Sequence, residues 1–198
     1  MSGARAPRLT RERIKQTAMG LVVERGVEGV SVRDIAAAVG MKPSNLYAHF
    51  ASKAELIDEM FAEGYAEYGR LLADEAARDA PFAIRLEAMV RLMCDLHDAD
   101  RTRFRFLLLV QHDALGRFEY DEANPVNILS RLIRGAIATG EIPPGDGMLI
   151  TAMIVGVVVQ AATFQLYGRM DGGMIPLAPD LARACVRLAV RDGAGGRA

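Results

Sequence analysis

The chain has 198 residues, 51% hydrophobic and 25% charged, a balance that supplies a buried core and argues against a disordered polypeptide. Its formal net charge of -1 conceals an asymmetry: residues 1–53 carry 9 Lys/Arg against 4 Asp/Glu, and residues 54–198 carry 15 against 21. A basic front end joined to an acidic remainder hints at an N-terminal module built for a polyanion.

Helical periodicity runs along the chain without sustained period-two alternation, so an all-α fold of about nine helices is expected. The first is expected to start after Thr10, an N-cap residue type, and to end at Gly26, with Ile14, Ala18, Leu21 and Val22 on one buried face. Ser31 and Asp34 form a capping-box pair ahead of a second helix, with Val32, Ile35, Ala36 and Val39 inward and Gly40 as its stop. Pro43 suits the first position of a short third helix, whose buried side carries Leu46 and Phe50. Ser52 and Glu55 repeat the capping pattern and launch a long fourth helix running to about Asp79.

Pro81 is expected to begin a fifth helix, carrying Phe82, Leu86, Met89, Val90, Met93 and Leu96. A sixth is expected over about Arg101–Leu115, with Gly116 ending it. Asn124 and Pro125 read as cap and first residue of a seventh, closed by Gly140. Asp146 caps the eighth, and Pro179 starts a ninth that gives way to a Gly-rich tail from Gly193. Met148–Gly168 holds no charged residue and is long enough to span a bilayer. Thr151, Gln160, Thr163 and Gln165 interrupt it, so a helix buried at a core or subunit interface is the preferred reading. Met1–Thr10 is basic and lacks an apolar run, so no signal peptide is expected there.

The informative segment is Ser31–Lys53, two short helices around a tight glycine turn, the layout of a helix-turn-helix. Ala36, Ala37 and Ala38 permit close helix approach, and Lys42, Ser44, Asn45, Tyr47 and His49 group hydrogen-bonding side chains on the face opposite Leu46 and Phe50. Such groups suit phosphate oxygens and major-groove base edges. Lys53 and the free amides opening the fourth helix add a second place for phosphate. Taken singly, Tyr47 reads equally as a half-buried core tyrosine and His49 as a surface histidine; their combination with the capping pairs and the glycine turn selects DNA.

Leu46-Tyr47-Ala48-His49-Phe50 followed by Ser52-Lys53-Ala54-Glu55-Leu56 resembles the recognition helix and capped fourth helix of the tetracycline-repressor (TetR) family. Gly26, Gly29, Ser31, Ile35, Ala36, Gly40 and Met41 also fit that family's pattern, over about residues 10–57. The resemblance implies an N-terminal DNA-binding domain over 1–51 and an effector-binding and dimerisation domain over 52–198. It implies that Ser31 and Arg33 meet the DNA backbone, that Tyr47, His49 and Lys53 bind phosphates, and that Lys42, Pro43, Ser44 and Asn45 face the bases. The sequence departs from the pattern at Lys42, where the family has a Ser or Thr cap; a lysine side chain accepts no amide hydrogen bond.

A helix-turn-helix of this size works as a dimer on paired half-sites, and the resemblance places the homodimer seam on the last two long helices. Ile154–Val159 and the stripe Leu181, Ala184, Cys185 and Leu188 are its candidates, with an intramolecular core as the alternative. Helices four to seven are rich in Met and Phe (Met60, Phe61, Met89, Met93, Phe104, Phe106, Phe118), which serves an adaptable pocket or plain core equally well. The resemblance implies a small, largely apolar effector, with Met89, Met93, Cys94, His97, Phe104, Leu108, Gln111 and His112 as candidate contacts. Cys94 and Cys185 read as free thiols of a reducing compartment. Cys94 and His97, even with His112, are too few for a metal site, and no cofactor is expected. No nucleophile elbow, phosphate-cradling glycine loop or paired carboxylates in an apolar setting point to an enzyme. The reading is a cytoplasmic, ligand-responsive transcriptional regulator, a repressor by resemblance, with operator DNA and no membrane as its partner. A constitutive DNA-binding protein whose large domain only dimerises is the rival.

Overall fold

The computed structural model describes the backbone of residues 5–118 and 123–190, with side chains described within residues 10–111 and 123–190. Among the described residues the chain is all-helical. It contains α1 (Arg5–Arg25), α2 (Val32–Ala38), α3 (Pro43–Tyr47), α4 (Lys53–Ala76) and α5 (Phe82–Ala99). There follow α6 (Arg101–Phe118), α7 (Pro125–Thr139), α8 (Gly147–Leu166), a 3-10 turn over Ile175–Leu177 and α9 (Ala178–Ala189).

Local chemistry sets most of these boundaries. Ser31 Oγ accepts the Asp34 amide while Asp34 accepts the Ser31 amide at 2.8 Å, closing a reciprocal cap on α2. Gly40 (φ +72°) and Gly140 (φ +75°) take the left-handed conformation that ends α2 and α7. Ser52 Oγ accepts the Glu55 amide at 3.0 Å, and the Glu55 carboxylate reaches back to the Ala51 amide. Asn124 Oδ1 accepts from the Val126 amide at 2.8 Å, and Asp146 Oδ1 from those of Met148 and Leu149 at 2.9 and 3.1 Å.

Four boundaries differ from expectation. Helix α1 starts at Arg5, so Thr10 lies inside it; Pro7 is tolerated there because the first turn has no intrahelical donor to lose. Helix α4 ends at Ala76 instead of Asp79. Helix α6 continues past Gly116 to Phe118, since an interior glycine weakens a helix by about 1 kcal/mol without stopping it. Helix α9 is preceded by an unforeseen 3-10 turn that carries the chain in. The tail from Gly193 lies outside the described residues.

The chain divides into two compact units, Met1–Gly64 with Thr102–Glu119, and Tyr65–Arg101 with Tyr120–Ala198. In the first, α2 packs on α1 and α3, and Ile14, Ala18, Val22, Ile35, Leu46, Phe50, Leu56, Phe61 and Phe106 are buried. A Cβ on Gly64 of α4 would lie 3.1 Å from Leu107 Cδ2 of α6, a close helix approach. In the second unit, α5 packs on α8, α9 and the 3-10 turn, and α8 packs on α7 and α9. A Cβ on Gly69 would lie 1.6 Å from the Ala123 carbonyl oxygen, so α4 passes that segment at a separation only glycine permits.

Helix α8 is long and apolar enough to cross a membrane by length and composition. Within its unit it buries Thr151, Ile154, Val158 and Ala162 and exposes Met148, Leu149, Met153 and Phe164, with Tyr167 exposed just beyond its end.

Candidate nucleic-acid interface

Helix α3 is five residues long, too short to persist alone, so packing must orient it. Leu46 (0% exposed) and Phe50 (1%) anchor its inner side. With that side fixed, Lys42, Pro43, Ser44, Asn45 and Tyr47 are all exposed and His49 is half-buried. Tyr47 is 53% exposed, which leaves its ring and hydroxyl open to a partner. Lys42 occupies the N-cap of α3 and makes no side-chain cap bond, as its chemistry requires. Ser31 and Arg33, at the start of α2, are exposed as well. Hydrogen bonds from the Ser31 hydroxyl and amide hold the Asp34 carboxyl below the usual carboxylate range, so the α2 cap stays charged and intact at neutral pH.

Much of the basic surplus is consumed inside this unit, a use the sequence did not reveal. Lys53 Nζ donates to the Val27 carbonyl at 2.8 Å, pinning the turn before α2. Arg13 Nη2 donates to the Val39 carbonyl at the end of α2 at 2.6 Å. Arg11 donates to the His49 carbonyl beyond α3 and pairs with Glu59 of α4. Cations at helix C-terminal ends satisfy orphan carbonyls and oppose the helix dipole. Lys15 is buried and sits 2.8 Å from Glu59 and 2.6 Å from Glu63. Burial pulls its pKa down, but hydrogen bonds to Glu59 and Glu63 outweigh that and leave it raised. Glu59 is likewise held below its usual range, because hydrogen bonds from Arg11 and Lys15 outweigh its desolvation. No i, i+4 rule exposes these pairs, since the members of Arg11–Glu59 and of Lys15–Glu63 lie 48 residues apart.

The expected effector contacts fall in separate units. Met89, Cys94 and His97 on α5 are buried and Met93 half-buried in the second. Phe104 (buried), Leu108 and Gln111 (both half-buried) lie on α6 in the first. His112 and Phe118 lie outside the described side chains. Burial pushes the Cys94 and Cys185 thiols up to about 11, so neither supplies a thiolate at neutral pH. His97 Nδ1 is 2.8 Å from Asp98 Oδ1, and Asp98 accepts the Met174 and Ile175 amides at 2.9 Å each. His97 is thereby part of the anchor of the loop before α9. A cleft of about 400 Å³ in the second unit is lined by other residues, among them Ala73, Ala77, Arg85, Leu132, Ala136 and Glu141. Two further groups escaped the sequence reading: both amide atoms of Gln165 and the Ser130 hydroxyl are buried without a hydrogen-bond partner among the described residues. A buried amide left unpaired costs a few kcal/mol and marks a place where a polar ligand atom would be welcome.

Residues 14–60 match the sequence model of bacterial regulatory proteins of the tetR family. The transcriptional repressor KstR2 of Mycobacterium tuberculosis is 42% identical over 50 residues, 25% of each chain. The repressor DrrR1 of Streptomyces coeruleorubidus is 31% identical over 173 residues, covering 81% of this chain and 55% of the relative. The chain thus spans a quarter of the one relative and about half of the other. Among solved structures, the fatty acid degradation regulator FadR of Bacillus halodurans superposes with a TM-score of 0.78 at 17% identity, over 100% of both chains. FadR of Bacillus subtilis, solved with stearoyl-CoA, gives 0.73 at 21% identity, covering 88% of this chain and 97% of that one.

Proposed function

This chain belongs to the TetR family of bacterial regulatory proteins, and we propose that it is a sequence-specific DNA-binding repressor released from its operator by a small, largely apolar effector. The observation that carries this reading is the α3 face: five residues exposed to solvent over two fully buried anchors. Lys42–Asn45 would read base edges, Tyr47 and His49 would hold phosphates, Ser31 and Arg33 would meet the DNA backbone, and Lys53 would reach a phosphate with the ammonium protons that its bond to Val27 leaves. Residues 1–51 are assigned to operator binding and 52–198 to effector binding and dimerisation. The relatives' names place them among transcriptional repressors, which are not enzymes.

A second copy of the chain on α8 and α9 is the proposed dimer partner. Burying Met148, Leu149, Met153, Phe164 and Tyr167 removes large exposed apolar side chains that a soluble monomer rarely presents together. Two reading heads on one duplex then bind half-sites about one DNA turn (~34–36 Å) apart. This account also gives α8 a reason to be apolar all round in a cytoplasmic protein.

The effector class follows from the Met- and Phe-rich composition of the helical region, which suits an adaptable apolar site, with Met89, Met93, Cys94, His97, Phe104, Leu108, Gln111 and His112 as the candidate contacts. The stearoyl-CoA held by the Bacillus subtilis FadR supports a ligand with a long apolar part. Helix α4 contributes Lys53–Gly64 to one unit and Tyr65–Ala76 to the other. Such an effector releases DNA only if it prefers the state that does not bind operator.

The test is selection of genomic fragments by the purified protein at near-physiological salt, followed by release with fatty acids and their acyl-CoA esters. Enrichment of a short inverted repeat is expected, bound by a dimer in sedimentation experiments run without detergent. Failure to enrich any sequence would refute the DNA-reading assignment. Equal effector affinity for free and operator-bound protein would refute the release mechanism.

A further inference from the structure

A helix of five residues anchored from below by Leu46 and Phe50 still needs its end held. Its N-terminal cap makes no side-chain bond, so the holding must come at the C-terminal side. There, one side chain from α1 gathers three elements. Arg11 donates through Nη1 to the His49 carbonyl, through Nε to Glu59 Oε1 at 3.1 Å, and through Nη2 to Glu59 Oε2. The face of the same guanidinium lies 4.0 Å over the centre of the Phe50 ring. Its fork binds a carboxylate two-handedly while its plane stacks on an aromatic, a combination lysine does not reproduce. One turn along α1, Lys15 takes the remaining charge of Glu59 and Glu63, so Glu59 is fixed from two sides.

We propose that Arg11 is the positioning residue of the DNA-reading face: with Glu59 it locks the exit of α3 to α4 and sets operator affinity without touching DNA. Because Glu59 belongs to α4, a displacement of that helix pulls on the recognition helix through this pair. The inference rests on the DNA-binding reading above and names the contact by which the face is held.

The sign of one substitution separates positioning from simple charge. Glu59→Gln removes a negative charge from the DNA-binding unit, so charge alone predicts equal or tighter binding to the polyanion. Positioning predicts weaker binding, because the Arg11 fork loses its ionic partner. The salt dependence separates positioning from a direct bond to phosphate. Removing a cationic side chain that neutralises a phosphate lowers the slope of log K against log[salt] by about 0.9 per phosphate, whereas removing a positioning side chain leaves the slope unchanged.

The experiment measures operator binding by fluorescence anisotropy from ~50 to ~200 mM salt for the unaltered chain and for Arg11→Ala, Arg11→Lys, Glu59→Gln and Arg11→Ala/Glu59→Gln. Circular dichroism melts identify a temperature at which each variant is folded. Arg11→Ala and Glu59→Gln should each weaken binding about tenfold, Arg11→Lys about threefold, and the double variant no more than the single ones, as contacting residues couple. All slopes should match that of the unaltered chain. If Arg11→Ala does not fold, Arg11→Lys and Glu59→Gln carry the test. Glu59→Gln binding as tightly as the unaltered chain, or a reduced slope for either Arg11 variant, overturns the positioning role alone. An unaltered chain that selects no DNA overturns the underlying reading and this inference with it, and Tyr47→Ala serves as the control for that outcome.

Discussion

Three helical glycines give the same chemical change in three surroundings, and the structure orders their consequences. Gly→Ala within a helix gains about 0.8–1.0 kcal/mol of propensity when nothing opposes it. At Gly20 of α1 an added Cβ meets nothing within 4 Å, so that gain should appear nearly whole. At Gly64 the nearest atom is Leu107 Cδ2 at 3.1 Å, the end of a side chain that yields by a few tenths of an ångström, so gain and strain should nearly cancel. At Gly69 the Cβ would lie 1.6 Å from the Ala123 carbonyl oxygen and 2.7 Å from its carbon. An ordinary carbon–oxygen approach is about 3.3 Å or more, so backbone must retreat by roughly 1.7 Å. That retreat also moves Asn124, whose side chain caps α7. Overpacking of about 2–3 kcal/mol and a weakened cap of about 1 kcal/mol, less the propensity gain, leave Gly69→Ala destabilised by roughly 2–3 kcal/mol. In a chain of this size that is a fall in Tm of about 4–12 °C, against a rise of about 2–4 °C for Gly20→Ala. Thermal and urea melts at fixed protein concentration measure both. If Gly69→Ala melts at or above Gly20→Ala, the close crossing of α4 and the segment before α7 is wrong.

Tyr47→Ala should weaken binding to every sequence alike and leave the salt slope nearly unchanged, because a neutral hydroxyl on a phosphate releases no counterion. Asn45→Ala should also leave the slope alone but relax base preference, by about 1–3 kcal/mol at the position it reads; fluorescence anisotropy on operator variants distinguishes the two. Burial raises the pKa of Asp98, but the Ile175 and Met174 amides and His97 outweigh it and hold the group below its usual range. Its ionised form therefore stabilises the fold above about pH 4, and that contribution is lost as the pH falls below this value. Melting curves from pH 6 down to 3 should show a flatter acid limb for Asp98→Asn, with the two curves converging at the acid end; parallel curves would refute the anchor. Gln165→Leu removes a buried unpaired amide and should raise Tm by about 2–4 °C while weakening the thermal shift given by an apolar effector with a polar head. An unaltered effector response would show that the Gln165 amide takes no part in holding the effector.

Much of the architecture was legible because it is written in short-range chemistry. The pairs Ser31–Asp34 and Ser52–Glu55, the Asn124 and Asp146 caps and the stops at Gly40 and Gly140 all act within a few residues. The polar face of α3 was legible for the same reason, since Leu46 and Phe50 lie on one side of a single helical turn. Helix ends without such signals were misplaced: α1 begins before Thr10, and α6 ignores Gly116. Propensity alone says that a glycine weakens a helix, and only the surroundings say whether the helix ends there.

The sequence by itself determined an all-helical chain, a short reading helix and the residues on its outer face, because periodicity and capping are properties of neighbours along the chain. Only the tertiary structure decided where the basic charge is used. Arg11, Arg13 and Lys53 look alike in composition to Lys42, yet the first three end on backbone carbonyls within their own unit and Lys42 is exposed. The same holds for Glu141, which caps the Phe82 amide across 59 residues of chain, and for Asp98, which anchors a loop 76 residues away. Partners so far apart in sequence meet only after the helices pack, and packing turns on shapes and burial that no local spacing encodes.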